Sequence, residues 1–295
     1  MTSPIAMTRA VATVVPGVVR AELRRLLRWP VLWLLSGTWM VLNLTFAYLF
    51  PYLTYRNESE PAGPRSGAGP LERLLPDQVP VAVVEGMPMF GGALVLILAA
   101  LAVGSGYGWG TWKSVFTAGP RRATALAGTF AALAVVLTAL VAATFVVDLA
   151  ASTAIALAED RAIVAPGGLA TAKGLAAALL ISGMWAAAGT LLGALTRAPA
   201  LAVGLGLVWS LVVENLLRGV AGLLGPLKTV AEVLPGTVAG SLAAAVGAPP
   251  FSDPNGTPGV NTVWAGGPAT LLTVTYLVAF SLATVTLVAR RDLAS

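Results

Sequence analysis

The sequence predicts an all-α, polytopic membrane protein with six transmembrane helices. Of the 295 residues, 57% are hydrophobic and only 11% are charged, and the mean hydropathy is +0.84. Soluble domains carry about 25% charged residues. A helix that crosses the hydrocarbon core of a bilayer needs about 20 mainly apolar residues, and the chain contains six such runs. We therefore expect one transmembrane domain over residues 1–295.

Two residue types are missing, and their absence excludes several functions. The chain contains no cysteine and no histidine. Disulfides, thiolate or imidazole metal sites and histidine-based catalytic triads are thereby excluded. A membrane hydrolase would then need a Ser–Lys or a carboxylate pair, and no paired carboxylates lie deep in a predicted span. The sequence predicts neither a catalytic residue nor a metal site in this chain.

A basic amphipathic helix is predicted before the first span, within Val18–Pro30 (VVRAELRRLLRWP). Apolar residues recur at i, i+4, i+7 and i+8 from Val19, and arginines form a row of fourth neighbours on another face. Such a helix lies along the inner membrane surface, with its arginines among the lipid phosphates. A simpler interpretation is a topology anchor alone. We call this segment the elbow helix, and its selected residues are Arg20, Glu22, Arg24, Arg25 and Arg28.

The spans are predicted from the apolar runs in chain order. Residues 1–30 form a cytoplasmic tail and the elbow, residues 53–80 a proline-rich outer loop, residues 104–122 a cytoplasmic loop, and residues 220–268 an outer re-entrant region and loop. The six predicted spans are Val31–Tyr52, Val83–Val103, Ala123–Val147, Gly174–Leu195, Pro199–Leu217 and Ala269–Val288.

The segment Val220–Ala248 is apolar but broken by Gly225-Pro226 and by Pro235-Gly236. Each half is too short to cross a bilayer. We predict two short re-entrant helices, since irregular backbone at membrane depth is tolerated only where protein or a water-filled cavity surrounds it. The alternative is a seventh, proline-kinked span.

The orientation follows from the basic residues in short flanks. Six spans with a cytoplasmic N-terminus place both termini in the cytoplasm, whereas seven spans would place Arg290 and Arg291 outside. We therefore predict a multi-pass protein of the bacterial cytoplasmic membrane. On the cytoplasmic side, eleven basic residues face two acids; the basic residues are Arg9, Arg20, Arg24, Arg25, Arg28, Lys113, Arg121, Arg122, Arg197, Arg290 and Arg291.

The cytoplasmic loop after the second span has an unusual sequence, GSGYGWGTWKSVFTAGPRR over residues 104–122. Its alternating glycines do not match the dinucleotide fingerprint, and the chain lacks the Gly-Lys-Ser/Thr of a P-loop. We expect the inner end of the span to pack closely on a neighbour through small residues. Thr111–Ala118 is predicted to form a short surface helix, with Trp109 and Trp112 at the headgroup level. Such a helix between two spans can transmit force from a docked protein. The simpler interpretation is an ordinary anchored loop.

At this point the chain resembles a known family. The order of basic amphipathic helix, span, long outer loop, span, G-T-x-K-x-x-x-x-x-G-P-R, further spans and a terminal Arg-Arg-Asp is similar to the bacterial ABC type-2 permeases, the membrane subunits of ATP-binding-cassette exporters. One departure is Gly106, where relatives commonly carry an acid. By this resemblance, the ATPase-coupling residues are Gly110, Thr111, Trp112, Lys113, Ser114, Phe116, Gly119, Pro120 and Arg121.

The resemblance also implies the partners. Two permease copies, or this chain and a paralogue, would pair in the membrane, and separate ATPase subunits would dock below them. ATP and Mg²⁺ would bind to the ATPase, so that this chain would bind no cofactor and no nucleic acid directly, and its elbow would contact lipid. The expected function is the export of an amphipathic or lipid-like small molecule, drug or peptide.

A possible substrate path is predicted from side chains near the outer ends of the spans. The simpler interpretation is core packing for the apolar members, and an i, i+4 pair between Glu214 and Arg218. Glu85 and Asp148 are also predicted near outer span ends. The selected path residues are Met87, Phe90, Trp209, Glu214 and Asn215.

The sequence is also compatible with two other functions. An ion-driven secondary transporter would predict an acid or a broken helix at mid-membrane and an internal repeat, and the sequence shows no obvious repeat and no mid-span acid. A non-transporting membrane anchor or immunity protein would share the cytoplasmic motif and differ only in lacking flux.

Overall fold

The structure, a computed structural model, describes residues 17–57, 69, 71–108, 122–221, 225–253 and 256–290. Over these ranges the chain is helical with connecting loops and contains no strand. Six helices are long and apolar enough to cross a membrane. The predicted all-α class and the number of long apolar helices are confirmed.

The helices follow one another in the predicted order, and every span runs past its predicted C-terminal end. Their bounds are α1 over residues 17–27, α2 Pro30–Asn57, α3 Pro76–Tyr107, α4 Arg122–Ala158, α5 Gly168–Thr196, α6 Pro199–Val220, α7 Gly225–Glu232, α8 Pro235–Val246 and α9 Gly266–Arg290.

Helix α4 departs most from the prediction. It contains 37 residues, which corresponds to about 55 Å at 1.5 Å per residue, and it continues well beyond the predicted end at Val147. Asp148 therefore does not lie at the end of a span but about 15 Å before the end of the helix. The buried acid is partly compensated by Asn43 of α2, which donates a hydrogen bond to it at 2.6 Å.

Helix α5 lies at the centre of the bundle and packs most extensively on α3 and α9. Two glycines one turn apart, Gly189 and Gly193, allow its backbone to approach that of α3. A Cβ atom at Gly189 would lie 2.3 Å from the carbonyl oxygen of Leu96. Such small-residue contacts replace the hydrophobic driving force that helices lack in lipid.

Both ends of the described chain lie at the same end of the bundle. Arg25 of α1 donates a hydrogen bond to the carbonyl oxygen of Ala102, near the C-terminus of α3, at 3.0 Å. Val103, Leu126 and Val288 share one buried cluster, which brings the ends of α3 and α9 together with the start of α4. It follows that the chain traverses the bundle an even number of times between α1 and the end of α9. We call this the Arg25 end of the bundle.

Helices α7 and α8 form a pair that is bent by 60° at the break between them. Counted as one span, the pair would raise the number of long apolar segments from six to seven. At the break, Tyr276 of α9 donates a hydrogen bond to the carbonyl oxygen of Val233. The C-terminal end of α8 lies beside the start of α9, where Ala245 approaches Gly266.

Candidate functional site

The predicted ATPase-coupling residues lie outside the described residues. The structure describes only the flanks of this loop, with α3 continuing as helix to Gly108 and α4 beginning at Arg122. Close packing at the end of the second span is confirmed, since a Cβ atom at Gly104 would lie 3.1 Å from the Cα of Pro199. The ATPase-coupling residues that lie outside the described residues are Gly110, Thr111, Trp112, Lys113, Ser114, Phe116, Gly119, Pro120 and Arg121.

The selected elbow residues divide between the two faces of α1. Arg20, Arg24 and Arg28 are exposed. Glu22 and Arg25 form an ion pair at 2.8 Å, and Arg25 also bonds to Ala102. Beside them, Leu26 is fully buried in the main core. One face of the helix is thus fixed to the bundle, and the other face presents three arginines.

The five predicted path residues lie in three separate places. Met87 is buried in the main core, 3.5 Å from the hydroxyl of Ser182. Phe90 lines a large cavity. Trp209, Glu214 and Asn215 lie together on α6, where the amide of Asn215 donates a hydrogen bond to the carbonyl of Leu211 in its own helix.

Glu214 connects α6 to the start of α8. Its side chain is fully buried. One carboxylate oxygen accepts a hydrogen bond from the indole of Trp209 at 3.0 Å, and the other accepts one from the backbone N–H of Gly236 at 2.9 Å. The predicted pairing with Arg218 is present at 3.8 Å. We call Glu214 and these three partners the Glu214 cluster. Of its contacts, only the ion pair was predictable from sequence, by the i, i+4 spacing of Glu214 and Arg218.

The described residues enclose a cavity of about 640 Å³. It lies between α2, the first half of α3 and the α8–α9 loop, by which we mean the described residues 247–253 and 256–262. Its walls combine four aromatic side chains, three charged side chains and several polar groups. The aromatic and charged residues are Trp39, Phe46, Phe50, Phe90, Arg73, Glu85 and Asp253.

Two irregular helical turns place the aromatic rings. The stretches Leu44–Leu49 and Met87–Gly91 are π-helical, with a proline in or just after each. Proline removes a backbone donor, and π-helical turns occur often at functional sites. Phe46 and Phe90 project from these turns and stack with ring centroids 5.8 Å apart.

A buried acid lies behind one wall of the cavity. Asp148 is fully buried, and its Oδ1 atom accepts the hydrogen bond from Asn43, which itself lines the cavity. The Oδ2 atom of Asp148 is buried and has no hydrogen-bond partner among the described residues. The sequence did not reveal this pair, because its members lie 105 positions apart.

At the end of the bundle opposite to the Arg25 end, Glu159 connects the ends of α2 and α4. Its carboxylate accepts hydrogen bonds from the hydroxyl of Tyr52 at 2.7 Å and from that of Tyr55 at 3.2 Å, and Arg56 lies 3.4 Å away. The hydrogen bond from Tyr52 is the main cause that lowers the pKa of Glu159 below its usual range. Smaller contributions come from Tyr55 and Arg56, and desolvation opposes them.

This pKa shift predicts a pH-dependent contribution to stability. Because the pKa of Glu159 is lowered on folding, its contribution is present at neutral pH and is lost as the pH falls through the lowered pKa. We expect Glu159→Gln to unfold at a lower temperature than wild type at pH 7, and the difference to vanish well below pH ~4. Thermal unfolding of purified protein across this range measures it, with Asp160→Asn, an exposed neighbouring acid, as the control. A difference that persists unchanged at pH 3 would contradict the assignment.

No protein-family model matches the chain, and a search of curated proteins finds no similar sequence. Among the described residues, no group of three or more acidic side chains is placed to hold a metal ion. The six long apolar helices indicate a multi-pass membrane protein.

Proposed function

We propose that this chain is the permease subunit of an ATP-driven exporter in the bacterial cytoplasmic membrane, with both termini in the cytoplasm. The observation that carries the proposal is the motif from Gly110 to Arg121, placed between two long apolar helices and preceded by a basic amphipathic helix. The cargo is an amphipathic or lipid-like small molecule, drug or peptide.

The arrangement of α1 supports this proposal. Arg25 fixes α1 to the end of α3, and Val18 lies against Gly128 near the start of α4. The same two helices flank the motif. The elbow and the two described flanks of the motif therefore lie at one end of the bundle, which supports docking of a single ATPase against both.

The remaining parts follow from the same proposal. A separate ATPase subunit binds ATP and Mg²⁺, and a second copy of this chain or a paralogue completes the route. The exposed arginines of α1 contact lipid phosphates at the inner surface. Helices α7 and α8 form a re-entrant pair in this proposal, which is supported by the end of α8 beside the start of the last span and by α1 and the end of α9 both lying at the Arg25 end.

The test is a charge reversal in the motif. The chain is coexpressed with the proteins encoded by the genes beside its own, among which we expect a P-loop ATPase, and is purified in lipid. We expect the ATPase to copurify, and Lys113→Glu combined with Arg121→Glu to weaken the complex at least tenfold, because reversing charges at an interface costs about 2 kcal/mol or more. Copurified amounts and ATP hydrolysis in nanodiscs are the measurements.

The matched control reverses charge at the opposite end of the bundle, with Lys173→Glu and Arg161→Glu, and is expected to leave the complex intact. If wild type retains no ATPase while the protein is folded, or if both double variants behave alike, the coupling role of the motif is wrong.

The buried acid favours a second candidate, an ion-driven transporter. Such a protein needs an ionisable group deep in the membrane, and Asp148, which is buried and lies inside α4 and not at its end, is the candidate for that group. Flux into vesicles that is driven by a proton gradient without ATPase, and is abolished by Asp148→Asn, would establish this candidate. A folded protein that shows no flux and binds no ATPase would instead favour the non-transporting anchor or immunity protein.

A further inference from the structure

We propose that the cavity between α2, α3 and the described residues of the α8–α9 loop binds a hydrophobic organic cation. Its aromatic rings hold the apolar body of the ligand, and its carboxylates select the positive charge. That such a cation is the transported cargo rests on the proposed function, whereas its binding to this cavity does not.

The size of the cavity suits one small molecule. Drug-sized ligands occupy clefts of roughly 300–1,000 Å³ that combine apolar walls with a few placed polar groups. The cavity measures about 640 Å³ and has both kinds of wall.

The aromatic wall has the geometry that a cation prefers. Phe46 stacks on Phe90 at 5.8 Å and meets Phe50 edge to face at 5.3 Å, with an angle of 89° between the two rings. The electron-rich faces of aromatic rings attract cations within about 6 Å, and the attraction grows when water is excluded. Three rings from two helices thus provide an apolar surface that also attracts positive charge.

The charges around the cavity have a negative balance. Two acids, Glu85 and Asp253, and one base, Arg73, line it. Glu85 forms no hydrogen bond and no ion pair with any described residue. An ionisable group within a span is a functional candidate, and the charge that acts on Glu85 is that of Arg73 in the same cavity. Asp148 adds a second buried acid behind Asn43, so an anionic ligand would be repelled.

The third wall is preformed. In the described residues of the α8–α9 loop, Phe251 donates its backbone N–H to the carbonyl of Val260, and Thr257 donates its own to that of Pro249, both at 3.0 Å. Asn261 fixes the loop to α8 by donating to the carbonyl of Thr237 at 3.0 Å. A rigid wall lowers the entropy cost of binding.

The test uses two probes of the same shape and opposite charge, tetraphenylphosphonium and tetraphenylborate. Equilibrium dialysis against the full chain in nanodiscs of zwitterionic lipid, with empty nanodiscs subtracted, measures both. We expect saturable binding of the cation and none of the anion. We expect Glu85→Gln to weaken binding of the cation about tenfold, because a hydrogen-bonded or contacting charge is lost, and Phe90→Ala to weaken it severalfold.

The control is Asp160→Asn, which removes an acid outside the cavity and is expected to leave binding of the cation unchanged. Thermal unfolding identifies any variant that fails to fold. If Phe90→Ala fails, Phe46→Ala replaces it as the aromatic variant. Equal binding of both probes, or unchanged binding of the cation in Glu85→Gln and in a folded aromatic variant, would overturn the proposal. No ATPase is present, so failure of the coupling experiment does not affect this one.

Discussion

Gly189→Ala is expected to destabilise the protein strongly, although alanine is the better helix former. In an exposed helix this substitution stabilises by roughly 1 kcal/mol. Here the new Cβ atom would lie 2.3 Å from the carbonyl oxygen of Leu96 and 3.0 Å from the backbone nitrogen of Ala100. Backbone cannot turn aside as a side chain does, so α3 and α5 must separate. Overpacking typically costs 1–3 kcal/mol, and we expect the melting temperature to fall by about 5–10 °C.

Gly183→Ala is the matched control on the same helix. There the nearest atom to the new Cβ is a methyl group of Leu277 at 3.6 Å, an ordinary contact. The control should melt at or slightly above the wild-type temperature. If Gly189→Ala and Gly183→Ala shift the melting temperature alike, the close contact between α3 and α5 does not stabilise the bundle as described.

The spans were predictable because membrane helices must satisfy their own backbone groups, so that length and hydropathy reveal them. Their ends were not, because the predicted end of α4 relied on Asp148 as a marker of the surface. Its partner Asn43 lies on another helix. A contact between residues so far apart in the chain leaves no local pattern, and without it an acid resembles a terminus.

The candidate site shows the same division. Phe90 was selected from the sequence and lines the cavity. Phe46 and Phe50 were not selected, because an aromatic residue in an apolar run is normally lipid-facing or core. Glu214 and Arg218 were predicted as an i, i+4 pair, and the pair is present. The hydrogen bond from the N–H of Gly236 depends on the packing of α8 against α6, and the periodicity of the sequence does not predict that packing.

Glu214→Ala is expected to be among the most destabilising substitutions in the chain. It removes the acceptor for the indole of Trp209 and for the N–H of Gly236, and it leaves Arg218 without its ion pair. Removing one partner of a buried ion pair costs about 3–5 kcal/mol. Because the lost contacts connect α6 to α8, we expect thermal unfolding at a lower temperature and faster proteolysis in α7 and α8.

Gly236→Ala should cause a similar loss by a different route, since its Cβ atom would lie 2.0 Å from the carboxylate of Glu214. The two substitutions together should cost no more than Glu214→Ala alone, because truncation of the acid makes room for the new methyl group. Such non-additivity is the signature of directly contacting residues. Gly219→Ala, where no atom lies within 4 Å of the new Cβ, is the control. Additive losses in the double variant would show that Glu214 does not hold α8 through Gly236.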